Sequence, residues 1–158
     1  MAYVSYIDLV NRVTPSLPPL PIAHMRPPER LAKLSVPLSQ ARIILIPAAG
    51  VHMRTDPPFQ FINDTSFRLL SQSVAPNEIR PSHPSPIRRP GRIDVNVVFP
   101  YQRLAELADE GFVGGPTANH LSMQGAIKSL RYIVTEMAPA MAEEARQQGA
   151  DAALLIPL

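Results

Sequence analysis

Cysteine is missing from all 158 residues, and so is tryptophan. Without cysteine, these residues cannot themselves supply a thiol nucleophile, exchange a disulfide, or bind zinc or an iron–sulfur cluster through sulfur. Lysine is almost absent, with two Lys against thirteen Arg, and the formal net charge is only +2. A nucleic-acid surface needs a clustered basic excess, so nucleic acid is not an expected partner. No apolar run approaches the ~18 residues that a membrane span requires. The opening stretch MAYVSYIDLVNRV alternates polar and apolar residues, which is not the pattern of a secretory signal, and a cytoplasmic location is the default expectation. What is left is 46% hydrophobic residues, enough for one globular domain of ordinary size.

Proline marks the organisation. Seven of the 19 prolines lie in residues 1–40, nine in 41–100 and three in 101–158. Residues 14–38 carry too many prolines for a helix interior or central strand and too many apolar residues for a free linker. The reading is a Pro-rich N-terminal arm over 1–38, with a short helix near 5–13, and an α/β domain over 39–158. The run ARIILIP from Ala41 to Pro47 is apolar but for Arg42, as in strands of parallel sheets, and Ala48-Ala49-Gly50 turns the chain after it. Short strands are expected around Glu78–Arg80 and Val95–Phe99. From Tyr101, Leu104, Leu107 and Ala108 share a helical face, with Gly111 placed to end the helix. From about Ser122 to Gln148, Met123, Ile127, Leu130, Val134, Met137 and Met141 recur at three- and four-residue steps. This predicts a long amphipathic helix, kinked or broken near Pro139. Gly149 ends it, and AALLIP (Ala152 to Pro157) reads as another buried, central strand. Strand, helix and strand in this order imply a βαβ, parallel-sheet domain of the flavodoxin or Rossmann kind, incomplete without a partner. Such a strand at the end leaves apolar area that another chain or another copy is expected to cover.

Three of the four histidines fall near the ends of expected strands: His52 after Gly50, His83 in the Pro-rich loop, and His120 before the long helix. Asp56, Asp64, Asp94, Arg68 and Arg103 lie in the same loops, so carboxylate, imidazole and guanidinium groups could meet at one sheet edge. A metal site from His52, His83, His120 and an aspartate is chemically possible, but the spacing is not that of a local metal motif. Arg80, Arg88, Arg89 and Arg92 could hold a carboxylate or phosphate through forked contacts, or simply line a solvated loop. Gly114-Gly115 lacks the Lys-Ser/Thr partner of a phosphate loop, and Ser66 and Ser122 lack the context of a nucleophile elbow. No cofactor is implied by any of these patterns.

Read in order, several stretches form a pattern: VPLSQARIILIPAAGVHM (36–53), DPPF (56–59), NDTSFR (63–68), SHPS (82–85), DVNVVFPYQRL (94–104), EGFVGG (110–115), HLSMQG (120–125) and GADAALLIP (149–157). In this order and spacing the chain resembles the B-subunit (selenoprotein B) branch of the glycine/sarcosine/betaine/D-proline reductase family. The resemblance covers most of the last 120 residues. It implies an α/β domain and reductive cleavage of a C–N or similar bond, with electrons from a dithiol. In that family the attacking group is a cysteine or selenocysteine directly after the strand matching AALLIP. The expectation here is that a Cys- or Sec-bearing companion subunit, or a dithiol donor protein, supplies it in an oligomeric complex.

By position, the resemblance puts Gly50 and His52 in the loop after the first strand. Asp64, Ser66 and Arg68 fall in a second rim loop, His83 in a third, and Asp94, Asn96 and Arg103 in a fourth. His120 and Ser122 lead into the long helix. Arg68 or Arg103 would clamp the carboxylate of a small carboxylate or amine substrate, and His52 or His120 would supply a proton to the leaving amine. The structural alternative is that Arg68 and Arg103 pair with Asp64 and Asp94 to hold the loops together. Two other functions fit the same residues: a non-catalytic binding or scaffolding subunit of a hetero-oligomer, and a His/Asp metal-dependent lyase or hydrolase.

Overall fold

The computed structural model describes residues 32–86 and 88–158. Most of the expected arm, including the helix expected over 5–13, lies outside the described residues. The centre is β1 (Arg42–Pro47), in which Ile43, Ile44 and Leu45 are all buried. Consecutive buried residues mean that both faces of the strand are covered, the usual situation in a parallel sheet. β1 also separates two cores. Ile43 and Leu45 face one with Val51, Leu70, Val98, Phe99 and Leu104, while Ile44 faces the other with Leu121, Ile127, Met137 and Met141.

Two more strands run parallel to β1: β5 (Gly115–Pro116) on one side and β7 (Ala152–Ile156) on the other, in the order β5-β1-β7. The α/β class and the parallel sheet are therefore as expected. Two antiparallel ribbons complete the strand set. One pairs β2 (Val51–Met53) with β4 (Ile79–Pro81), and the other pairs β3 (Phe67–Ser71) with β6 (Asn119–Met123).

Three short helical elements follow β4. They are α1 (Arg88–Ile93), a 3₁₀ turn at Val95–Val97, and α2 (Tyr101–Asp109), which buries Tyr101 and Leu104 in the first core. The strand expected at Val95–Phe99 is thus a 3₁₀ turn. The Asp94 side chain accepts from the Asn96 N–H and starts that turn, and such local side-chain bonds compete with strand formation. Phe99 still reaches the core, stacked on Tyr101 at 4.9 Å.

The long helix expected from Ser122 is also corrected. Leu121 to Met123 belong to β6, and helix begins only at α3 (Leu130–Tyr132), where the Ser129 side chain accepts from the Tyr132 N–H. A π-helical segment, Ile133–Met137, leads directly into α4 (Ala138–Gln147), with Pro139 in the first turn of α4. The backbone is helical on both sides of this junction, so the proline's missing N–H interrupts a continuing helix at the change from π to α geometry. Both α2 and α4 end as the glycines predict. Gly111 donates to the Ala108 carbonyl and Phe112 to Leu107; Gly149 donates to Arg146 and Ala150 to Ala145. These are paired Schellman closures with glycine in the left-handed region.

β7 differs from its expected central, buried position. Among the described residues its only strand partner is β1, and Leu154 and Leu155 are 49% and 66% exposed. Beside it a shallow cleft of about 460 Å³ runs between strand and α4, lined by Ile46, Met141, Ala142, Ala145, Ala152 and Leu155.

Candidate functional site

The tripeptide Ala48-Ala49-Gly50 at the carboxyl end of β1 ties three segments together through the backbone. The Ala48 carbonyl accepts from Gly125, the Ala49 carbonyl from His83, and the Gly50 carbonyl from both the N–H and the hydroxyl of Ser82. Gly50 also donates to the Met123 carbonyl at 2.8 Å, with a backbone φ of +60°. This sharp turn sends the chain into β2, and the next residue but one is His52.

His52 is fully buried. Its Nδ1 lies 2.7 Å from the Met53 carbonyl oxygen, which can only accept, so Nδ1 carries the ring proton and Nε2 holds a lone pair. That Nε2 has no hydrogen-bond partner among the described residues. Burial is the main cause that pushes the His52 pKa below its ordinary value. The bond to Met53 works against this, and the nearby Arg68 and Arg80 reinforce it. Arg80 sits directly opposite His52 in the β2–β4 ladder.

Phe59 meets the His52 ring edge-on at 6.3 Å, and the Arg68 guanidinium lies 4.0 Å from the Phe59 centroid. Stacking on an aromatic face is a favoured arginine geometry. Arg68 also donates to the Pro57 carbonyl at 2.7 Å and stands 3.9 Å from the Asp56 carboxylate. The β3–β6 register pairs Arg68 with Ser122, so both point to one face of that ribbon. The Ser122 hydroxyl is buried and, like His52 Nε2, has no partner among the described residues. The structure thus gathers Gly50, His52 and Arg68 around Phe59, with Ser122 opposite Arg68 in its ribbon.

Asp64 supports this group from the adjoining loop. Its carboxylate accepts from the Gln60 N–H and from the N–H and hydroxyl of Ser66. Burial opposes its ionisation, but these bonds outweigh burial and hold the pKa below the ordinary carboxylate value. The pairing expected between Asp64 and Arg68 is replaced by these contacts. His83 is nearly buried, accepts the Ser85 N–H at Nδ1, and has its pKa lowered by burial.

His120 is in β6 rather than before a helix, and both of its nitrogens are engaged. Nδ1 accepts the Leu45 N–H at 3.1 Å, which leaves the proton on Nε2, donated to Gln72 Oε1 at 2.6 Å. Burial lowers its pKa to about 4. The ring thereby serves as hydrogen-bond partner for β1 beyond the two residues that β5 covers. Asp94, Asn96 and Arg103 form a different group. Asp94 accepts from the Asn96 backbone and amide, the amide also reaches Gln102, and Arg103 pairs with Glu106 at 2.7 Å rather than with Asp94. Asp94 is held below its ordinary pKa chiefly by the Asn96 bonds.

Among the described residues, no three His, Asp or Glu side chains come together as a metal ion would need. The ligand set of His52, His83, His120 and an aspartate is therefore not assembled.

A curated protein with related sequence is the D-proline reductase subunit gamma of Acetoanaerobium sticklandii, 29% identical over 129 residues. This chain is similar to a reductase subunit. The match covers 82% of this chain and 53% of that subunit, so the chain spans about half the length of the curated relative. No family model and no solved structure matches. No helix among the described residues is long and apolar enough to cross a membrane.

Sequence reasoning missed Phe59, the ring at the middle of the group. It stands in the DPPF stretch, which counted only as part of the resemblance. Gln124, fully buried beside Gly50, was likewise inside HLSMQG without being singled out.

Proposed function

We propose that this chain forms the substrate-side part of a reductase complex of the B-subunit type. It binds a small amino or imino acid, with D-proline as the first candidate, for reductive C–N cleavage. The observation that carries this reading is the similarity to D-proline reductase subunit gamma over 82% of the chain. The geometry supports it, with a guanidinium stacked and oriented beside a neutral buried imidazole at the carboxyl edge of the sheet. Reductive cleavage replaces one C–N bond by C–H and N–H bonds, which takes two electrons and two protons. A dithiol supplies both as it closes to a disulfide. These residues contain no cysteine, so the thiol or selenol comes from outside them, in this reading from a companion subunit.

Within this reading Arg68 binds the substrate carboxylate, and Asp64 and Ser66 hold the loop that carries it. His120 positions β1 and transfers no proton, since both of its nitrogens are committed. Native mass spectrometry of the protein purified from its source cells tests the assignment. A companion polypeptide with cysteine or selenocysteine is expected, and a lone chain or homo-oligomer without any thiol partner counts against it. Arg68→Ala should weaken D-proline binding by roughly 10- to 100-fold, the range for a hydrogen bond to a charged group. D-Prolinamide, which has no carboxylate, should be little affected. Calorimetric titration of both ligands reads the difference, and equal losses would remove Arg68 from the carboxylate.

One observation favours a second reading, a non-catalytic docking subunit: the exposed Leu154 and Leu155 on a strand whose only strand partner among the described residues is β1. Full turnover of the assembled complex with Arg68→Ala would select it.

A further inference from the structure

The geometry points to His52 Nε2 as the acceptor of a ligand N–H, with the Ser122 hydroxyl as a second contact for the same group. The ligand class is then a small carboxylate with an N–H donor next to the carboxyl-bearing carbon. The inference rests on the substrate-binding reading above and specifies how that site tells one carboxylate from another.

His52 Nε2 and Ser122 Oγ are two of the three buried side-chain polar atoms without partners among the described residues; the third, Asn96 Oδ1, lies in the separate Asp94 group. Native interiors pair such atoms almost without exception, so each marks a position where a partner is to be supplied. For His52 the sense of the missing bond is fixed. The Met53 carbonyl takes the Nδ1 proton, so Nε2 offers only a lone pair and calls for a donor. Two arginines stand nearby, Arg80 opposite His52 in its ladder and Arg68 across Phe59, and the Asp56 carboxylate beside Arg68 offsets only part of their field. A positive field attracts a carboxylate and disfavours protonation of the imidazole, which keeps His52 an acceptor.

Ser122 shares its face with Arg68, so a ligand whose carboxylate lies on Arg68 brings its neighbouring atoms towards the hydroxyl. A secondary ammonium has two N–H bonds, which match the two unpartnered atoms. An ether oxygen or a methylene at that place has none. Leaving both buried atoms unpaired is the strong form of discrimination available to a binding site.

The test uses the whole chain with 15N-labelled histidine and three probes of one shape: D-proline, (R)-tetrahydrofuran-2-carboxylate and cyclopentanecarboxylate. In the free protein, His52 is expected as the Nδ1–H form with an unprotonated Nε2. D-Proline should move the Nε2 resonance, and the two analogues should not. Wild-type protein should prefer D-proline over the ether by about tenfold or more. In His52→Phe that preference should fall to within about twofold while binding of the ether is unchanged. If His52→Phe does not fold, the nitrogen shift in the wild type decides. An Nε2 that is already protonated, a resonance unmoved by bound D-proline, or equal affinity for all three probes overturns the role of His52 and leaves carboxylate binding intact. Failure of every probe to bind overturns both.

Discussion

Taking the pH from 7 to 4 should remove about 3 kcal/mol of stability through His120 alone. The folded pKa of this ring is about 4, lowered by burial, against about 6.5 in an unfolded chain. Between those two values the unfolded chain binds a proton that the folded one does not, so stability rises with pH across the window. The contribution is complete above about pH 6.5 and is lost as pH falls towards 4. At 1.36 kcal/mol per pKa unit, the gap gives the figure above. Protonation of Nδ1 would put a donor against the Leu45 N–H and add a charge to a buried ring. His52 and His83 are displaced in the same direction, so they steepen the loss. Urea unfolding at pH 7 and pH 4.5 reads the effect, with histidine NMR to assign it. A flat profile, or a His120 ring titrating near 6.5, would show that the ring is not held as described.

Gly114→Ala should cost about 3 kcal/mol, near the upper end for an overpacked position. Gly114 donates to both the Leu38 and the Ala41 carbonyls, which brings its Cα against the chain just before β1. A Cβ there would overlap the Gln40 carbonyl carbon and oxygen, and those are backbone atoms that no rotamer change can move. The next residue, Gly115, opens β5 and pairs with Arg42, so relief of the clash would pull β5 from β1. Gly111→Ala is the control. Its φ is +78° with open space around the missing Cβ, so it should cost only about 1 kcal/mol for the left-handed backbone. Denaturant melts of both variants give the comparison, and equal small losses would mean that the chain around Gln40 yields easily.

What the sequence revealed followed the physical signals it contained. β1 was legible because five apolar residues in a row need cover on both faces. The ends of α2 and α4 were legible because glycine closes a helix in a way that few residues can. The start of the second long helix was not, since Met123 and Ile127 are four apart and fit a helical stripe as well as they fit a strand followed by a turn. Only the pairing of β6 with β3, some 50 residues away, decides between them. β7 reads as central because its residues are apolar, and apolarity does not say how many neighbours a strand has. At the site, Gly50, His52, Arg68 and Ser122 were named from motif resemblance, but nothing local could join them, because Phe59 and the β3–β6 pairing link them only once the ribbons have folded. The place of His120 within a strand was hidden for the same reason: its partners are the Leu45 amide and Gln72, both distant in sequence.

The knot at Ala48-Ala49-Gly50 has a consequence for motion. Amides of Gly50, Ser82, His83 and Gly125 are all bonded within or to one three-residue stretch and its immediate partner strand. None of these bonds can open widely while the others stay closed, so the four protons should exchange with solvent as one cooperative unit at a single opening free energy. The loops bearing Ser82 and His83 then cannot breathe independently of the turn that leads to His52. Whatever occupies His52 Nε2 should slow exchange at Gly125, whose amide is bonded to Ala48.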